Sequence, residues 1–154
     1  MKSIHVMVAA GLLAALCVAA APQDKSAAAK KQDPRFPEGY SIPEKEAQRA
    51  NPVKPTEAGL AAAKKYYASQ CAMCHGKEGD GKGDLAVTME LKIPDYRKPE
   101  SLAKFTDGEL FYIYTKGMGK MPAEEDRTSD EMKWQVINFL RAMAKPEPAP
   151  APKP

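Results

Sequence analysis

The sequence predicts an all-α fold: one small helical domain between flanks too rich in proline to pack. Three observations carry this reading. Three segments have helical start and stop signals, no run alternates as a half-buried strand would, and the clearest apolar stripe recurs at helical spacing. The first helix is expected over about 57–72. Thr56 offers a hydroxyl N-cap, and Leu60-Ala61-Ala62-Ala63-Lys64-Lys65 is a run of good helix formers. The second is expected over about 107–116, opened by a Thr106/Glu109 capping box and closed by Gly117. The third is expected over about 129–144. Thr128 and Glu131 suit another box, Pro146 stops it, and Met132, Val136, Phe139, Leu140 and Met143 form the stripe.

The flanks divide the chain further. Residues 1–20 read as a signal peptide: Lys2, an apolar run from Val6 to Val18, then small residues at Val18-Ala19-Ala20. That run is short of the ~20 residues a spanning helix needs. Cleavage is expected near Ala20 or Ala21, leaving a periplasmic or otherwise exported protein. A rival reading makes Cys17 a lipidated first residue, which would give peripheral membrane association. Leu16 before it is larger than is usual there. Residues 21–55 read as a tether, largely disordered: Ala27-Ala28-Ala29-Lys30-Lys31 precedes prolines at 34, 37, 43, 52 and 55. Phe36 and Tyr40 could dock, but the composition favours a solvated linker. Residues 146–154 are a proline-rich, PPII-like tail. Residues 56–145 remain as one domain without internal repeats.

That domain carries 14 Lys+Arg and 14 Asp+Glu, while residues 21–55 carry 7 against 5. No basic stripe exists, so nucleic acid is excluded as a partner. A domain of this size has a thin core.

Cys71-Ala72-Met73-Cys74-His75 suggests what thickens it. Cys-x-x-Cys-His is the attachment signature of c-type haem. On a helix, residues three and four apart share a face. Cys71 and Cys74 can form thioethers to one porphyrin, and His75 can reach its iron from the same side. A structural zinc site needs four Cys/His ligands, and only three lie outside the leader. A redox Cys-x-x-Cys would accompany a βαβ pattern, which is lacking. Haem would add apolar volume, so the chain without it should fold poorly. Outside the leader His75 is the only histidine, and Cys71 and Cys74 are the only cysteines. The opposite axial ligand is then a non-histidine residue, water or nothing. Thioether sulfur suits the iron and raises its potential. Six methionines lie outside the leader; Met132 and Met143 read as core, and Met73 sits inside the motif. Pro122 holds Met121 extended, whereas Met118 lies between glycines. Met121 is therefore favoured over Met118. The plainer alternative is that Met121 only packs against the ring edge.

These residues resemble the class I, single-haem cytochrome c of bacteria, over Thr56 to about Ala144. Cys71-Ala72-Met73-Cys74-His75-Gly76 is similar to its haem motif and Met121-Pro122 to its distal methionine motif. The resemblance implies one covalent haem c, thioethers at Cys71 and Cys74, and His75 and Met121 as proximal and distal metal ligands. Gly76 to Asp84 resembles the glycine-rich turn after the motif. Ala63, where glycine is usual, stands at the crossing of the first and last helices, with Tyr67 and Phe139 as aromatic contacts. Trp134 resembles a helix-start tryptophan. The carbonyl of Ile93 or Pro94 would accept a hydrogen bond from the proximal imidazole.

The implied function is one-electron transfer between redox protein partners in a respiratory or dehydrogenase chain, by a monomer. With both axial positions taken, no catalysed reaction is expected. Lys77, Lys82, Lys116 and Lys120 flank the haem-contacting loops and could steer an acidic partner. Two other classes stay open: a ligand-binding or sensor haem protein with an open sixth site, and a haem subunit of a larger membrane respiratory complex.

Overall fold

The structure, a computed structural model, describes residues 32–144. The expected leader, the Cys17 question and the proline-rich tail lie outside the described residues. Seven helices occur within them: α1 (Glu44–Ala47), α2 (Glu57–Gln70), α3 (Ala72–His75), α4 (Asp84–Thr88), α5 (Pro99–Ala103), α6 (Asp107–Lys116) and α7 (Asp130–Met143). No strand occurs among the described residues; the nearest feature is an isolated bridge between Met118 and Met121. The fold is all-α.

The three long helices begin where the chain offers hydroxyl caps. Thr56 Oγ1 accepts from the Gly59 amide at 3.1 Å. Thr106 and Glu109 form the full capping box. The third cap differs from expectation. Ser129, one residue after Thr128, accepts from Met132 N, so α7 starts at Asp130. The first helix also differs. It ends at Gln70, and the haem motif forms a separate turn, α3, with Cys71 as the joint.

α2 crosses α7, and their contact is set by small residues. Ala63 is fully buried, in a cluster with Tyr114 and Val136. Tyr67 meets the Phe139 ring edge-on, with centroids 5.5 Å apart. At Gly59 a Cβ would lie 2.4 Å from Gln135 Oε1, so the approach is also tight one turn earlier. α6 lies beside α7. Phe111 stacks on Trp134 at 4.1 Å, and Ile137 completes that second cluster. The expected stripe on α7 is therefore only part of its buried surface. Trp134 and Ile137, on the stripe's flank, are buried deeper than Met132, Phe139 or Leu140. The reason is that α7 is covered from two sides.

The second cover is the segment expected to be a disordered tether. From Gln32 onward, residues 32–55 pack with the helices as one compact unit. Arg35 reaches across to Glu109, donating to both carboxylate oxygens at 3.0 and 2.8 Å. Phe36 is buried between Tyr40 and Phe105. α1 lies on the start of α6, where Gly108 leaves no room for a side chain: a Cβ there would meet Glu46 O at 2.2 Å. Asn51 Nδ2 donates to Asn138 Oδ1 (2.9 Å), and Asn138 Nδ2 donates to Val53 O (2.8 Å). The correction has a physical cause. Prolines deny a segment regular structure but not packing, and Phe36, Tyr40 and Val53 supply the apolar surface that a tether lacks.

Candidate functional site

The attachment turn is built by hydrogen bonds that follow from its glycines. The amides of Cys74 and His75 both donate to Cys71 O, at 3.1 and 2.9 Å. Downstream, Gly81 N donates to His75 O and Gly83 N to Cys74 O, so the glycine-rich run folds back over the turn. Tyr67 Oη fixes the same turn from α2, donating to Gly76 O at 2.9 Å. Gly81 has φ +74°, and a Cβ on it would lie 2.4 Å from Ile93 O. The run is thus the tight turn expected from sequence.

Beneath this turn is a cavity of about 60 Å³, partly open to solvent, lined by Tyr67, Cys71, His75, Tyr96, Met121 and residues of α6 and α7. Three of the four residues singled out from the sequence, Cys71, His75 and Met121, meet on its wall. Cys74 is half-buried on the same turn but is not part of the lining. Met118 does not line it either. Cys71 and Cys74 are not joined in a disulfide. Burial pushes the Cys71 thiol up to about 12, with smaller contributions from Glu124 and Cys74. Burial likewise lowers the pKa of His75, so its imidazole is held neutral and available as a donor. The ring lies parallel to Tyr96, with centroids 5.1 Å apart.

Two buried polar atoms at this cavity have no hydrogen-bond partner: His75 Nδ1 and Tyr114 Oη. The bond from His75 to the Ile93 or Pro94 carbonyl is not formed. Those carbonyls face Gly81, and the imidazole instead stacks on Tyr96. A group bound here meets a largely apolar wall, the sulfur of Cys71, an imidazole and a thioether, with Cys74 three residues on along the same turn. Haem c suits each of these; the residues present fit it.

Part of the wall was not singled out beforehand; Val136 and Leu140 were placed in the stripe of the third helix, but not at this cavity. Leu110, Ile113 and Tyr114 line the cavity from α6, and Val136, Ile137 and Leu140 from α7. The spacing of Leu110, Ile113 and Tyr114 is a helical-face signal that could have placed them. Tyr96 carries no such signal. It lies in a short irregular stretch and is placed by its amide bond to Gly79 O.

The four lysines are exposed but do not form a free basic patch. Lys116 pairs with Glu125. Lys77 and Lys82 share their loop with Glu78, Asp80 and Asp84.

The family model described as cytochrome c oxidase, cbb3-type, subunit III, matches residues 58–140, more than half of the chain. No curated protein matches. Among solved structures, a chain of the reducing HAO-like protein complex of Kuenenia stuttgartiensis is 25% identical with TM-score 0.50. That alignment covers 61% of this chain and 47% of the other, so the chain spans about half the length of that relative. A c-type cytochrome is 20% identical (TM-score 0.48), covering 54% of this chain and 98% of its own. Cytochrome c6 of the diatom Phaeodactylum tricornutum is 24% identical (TM-score 0.43), covering 55% of this chain and 93% of its own.

Proposed function

This chain belongs to the c-type cytochrome family described as cytochrome c oxidase, cbb3-type, subunit III, it carries covalently bound haem c, and we propose that it passes single electrons through one such group. The observation behind this reading is the meeting of Cys71, His75 and Met121 on one apolar cavity. Bound haem supplies a metal that alternates between ferric and ferrous states. Cys71 and Cys74 hold the ring by thioethers, so the group is not lost between turnovers. His75 would hold the iron through an imidazole nitrogen, which burial keeps from being protonated. Met121 would hold it through sulfur, on a loop closed by the paired Met118 and Met121 backbones. The aromatic and aliphatic wall from α6 and α7 offers water few partners at the site. Held by both residues, the iron would have no open site for a substrate, which supports a carrier role.

No helix among the described residues is long and apolar enough to cross a membrane. The family description favours a second reading of the same chemistry, in which the domain is one subunit of a larger respiratory assembly. Co-purification from native membranes with other subunits distinguishes that reading from a free, exported shuttle.

Mass spectrometry of the purified protein tests the first part: one haem mass added covalently is expected, and two free thiols would end the proposal. Met121→Ala tests the second. It should abolish the long-wavelength charge-transfer band of sulfur-ligated ferric haem, admit exogenous ligands and lower the potential. An unchanged spectrum would move the ligand elsewhere.

A further inference from the structure

The family match begins at residue 58, so the packed segment before it has no assigned role. One of its contacts touches the root of the methionine loop. Tyr40 Oη donates to Gly117 O at 3.0 Å, across 77 residues of sequence. The tyrosine is itself held in place. Its ring is half-buried against Phe36 (centroids 5.6 Å) and meets Tyr112 of α6 edge-on at 6.5 Å.

Gly117 is the hinge of that loop. It ends α6 with φ +75°, a conformation that other residues rarely take. A Cβ on it would lie 2.6 Å from Met121 O and 2.9 Å from Ala123 N, so the loop folds directly back onto it. Met118 and Met121 then bond amide to carbonyl in both directions, at 3.1 and 3.0 Å. Only three residues separate the Gly117 carbonyl from Met121. The path from the tyrosine hydroxyl to the sulfur-bearing residue is one hydrogen bond followed by one small, closed turn. Orientation of the Gly117 peptide therefore sets where that turn presents Met121.

We propose that Tyr40 is a positioning residue for Met121, acting through the Gly117 carbonyl, so that the segment before the conventional domain limits how readily the distal ligand lets go. This rests on the reading of Met121 as that ligand. A bound ligand competes with any added one, and the apparent affinity of the added one scales with the open fraction.

The test is imidazole binding to the ferric full-length haem protein. Tyr40→Phe keeps the ring and removes only the hydroxyl. A neutral hydrogen bond of typical net strength corresponds to roughly a fivefold change in an equilibrium. Tyr40→Phe should therefore raise the apparent imidazole affinity roughly three- to tenfold and weaken the sulfur charge-transfer band. Asn51→Ala is the control: it loosens the same segment at another anchor, against Asn138 on α7. It should lower the melting temperature and leave imidazole affinity and the band unchanged. Equal affinity in Tyr40→Phe and wild type overturns the proposal, as does an equal rise in Asn51→Ala. If the wild type itself lacks the band, the ligand assignment has failed, and the positioning role with it.

Discussion

Replacing Arg35 by alanine tests whether residues 32–55 belong to the domain. Its guanidinium donates to both oxygens of Glu109, a side chain only 8% exposed, while Arg35 itself is 29% exposed. Hydrogen bonds to a charged group contribute about 1.5–3 kcal/mol. Breaking a fully buried pair costs about 3–5 kcal/mol. Solvent reaches Arg35, so screening brings the loss to roughly 2 kcal/mol. The guanidinium also lies over the Phe36 and Phe105 rings, 5.0 and 5.3 Å from their centroids. Those contacts add about 0.5–1 kcal/mol. For a domain of this size, roughly 3–5 °C of melting temperature follow each kcal/mol, so a drop of roughly 8–15 °C is expected. Thermal unfolding of the haem protein, followed by circular dichroism, gives the number. A substitution in a solvated tether changes stability by at most about 0.5 kcal/mol. A shift under about 2 °C would therefore refute the packed segment. Glu109→Gln combined with Arg35→Ala should cost less than the two single changes added, because they share one contact.

Gly108→Ala should destabilise despite alanine's better helix propensity. Its Cβ would lie 2.2 Å from Glu46 O and 2.8 Å from both Ala47 O and Arg49 O; backbone cannot yield cheaply, and a loss of about 1–3 kcal/mol should show in urea unfolding. A neutral or stabilising result would mean that α1 does not lie on α6. The acidic residues interleaved with Lys77 and Lys82, and the Lys116–Glu125 pair, predict weak steering of anions. Oxidation of the ferrous protein by ferricyanide should change less than about twofold over moderate salt; a steep fall would restore the lysine patch.

The candidate site was legible because its residues are local. Cys71, Cys74 and His75 fall on one turn, so proposing a joint role for them needs no tertiary information. Met121 is a partial case. Pro122 distinguishes it from Met118 in sequence, but only the folded loop brings it onto the cavity with His75. The capping box at Thr106 and Glu109 was equally local and forms as expected. The segment 32–55 was not legible, because the contacts that anchor it to the helices are distant: Arg35 to Glu109, Tyr40 to Gly117 and Asn51 to Asn138 each span more than 70 residues. Composition reports how a segment behaves alone. It does not report whether a helix elsewhere lacks a cover. The short helices α4 and α5 were missed because five residues hold too few turns for a periodic signal.

α6 and α7 in fact need two covers, and this divides the stability of the domain. Tyr114, Val136, Leu140 and Met121 face the cavity. Phe111 and Trp134 do not line it; they stack on one another beneath Arg49, whose guanidinium lies 4.5 Å from the Phe111 ring centre. Arg141 ties α7 to the turn before α6, donating to Asp107, to Leu102 O and to Phe105 O. Haem completes the first face, whereas the second is completed by the chain alone. A Cys71→Ser, Cys74→Ser chain, made without attached haem, should then lose structure unevenly. Amide hydrogen exchange should be fast in α2 and the Met118–Met121 turn, yet slowed in α6 and the first turns of α7. Uniformly fast exchange would mean that the segment packs only after haem is in place. Uniformly slow exchange would mean that the ring adds little to the core. An uneven pattern follows only if the two faces are held largely independently; the buried residues fall in two clusters that meet only where Leu110 and Ile137 of the second also line the cavity.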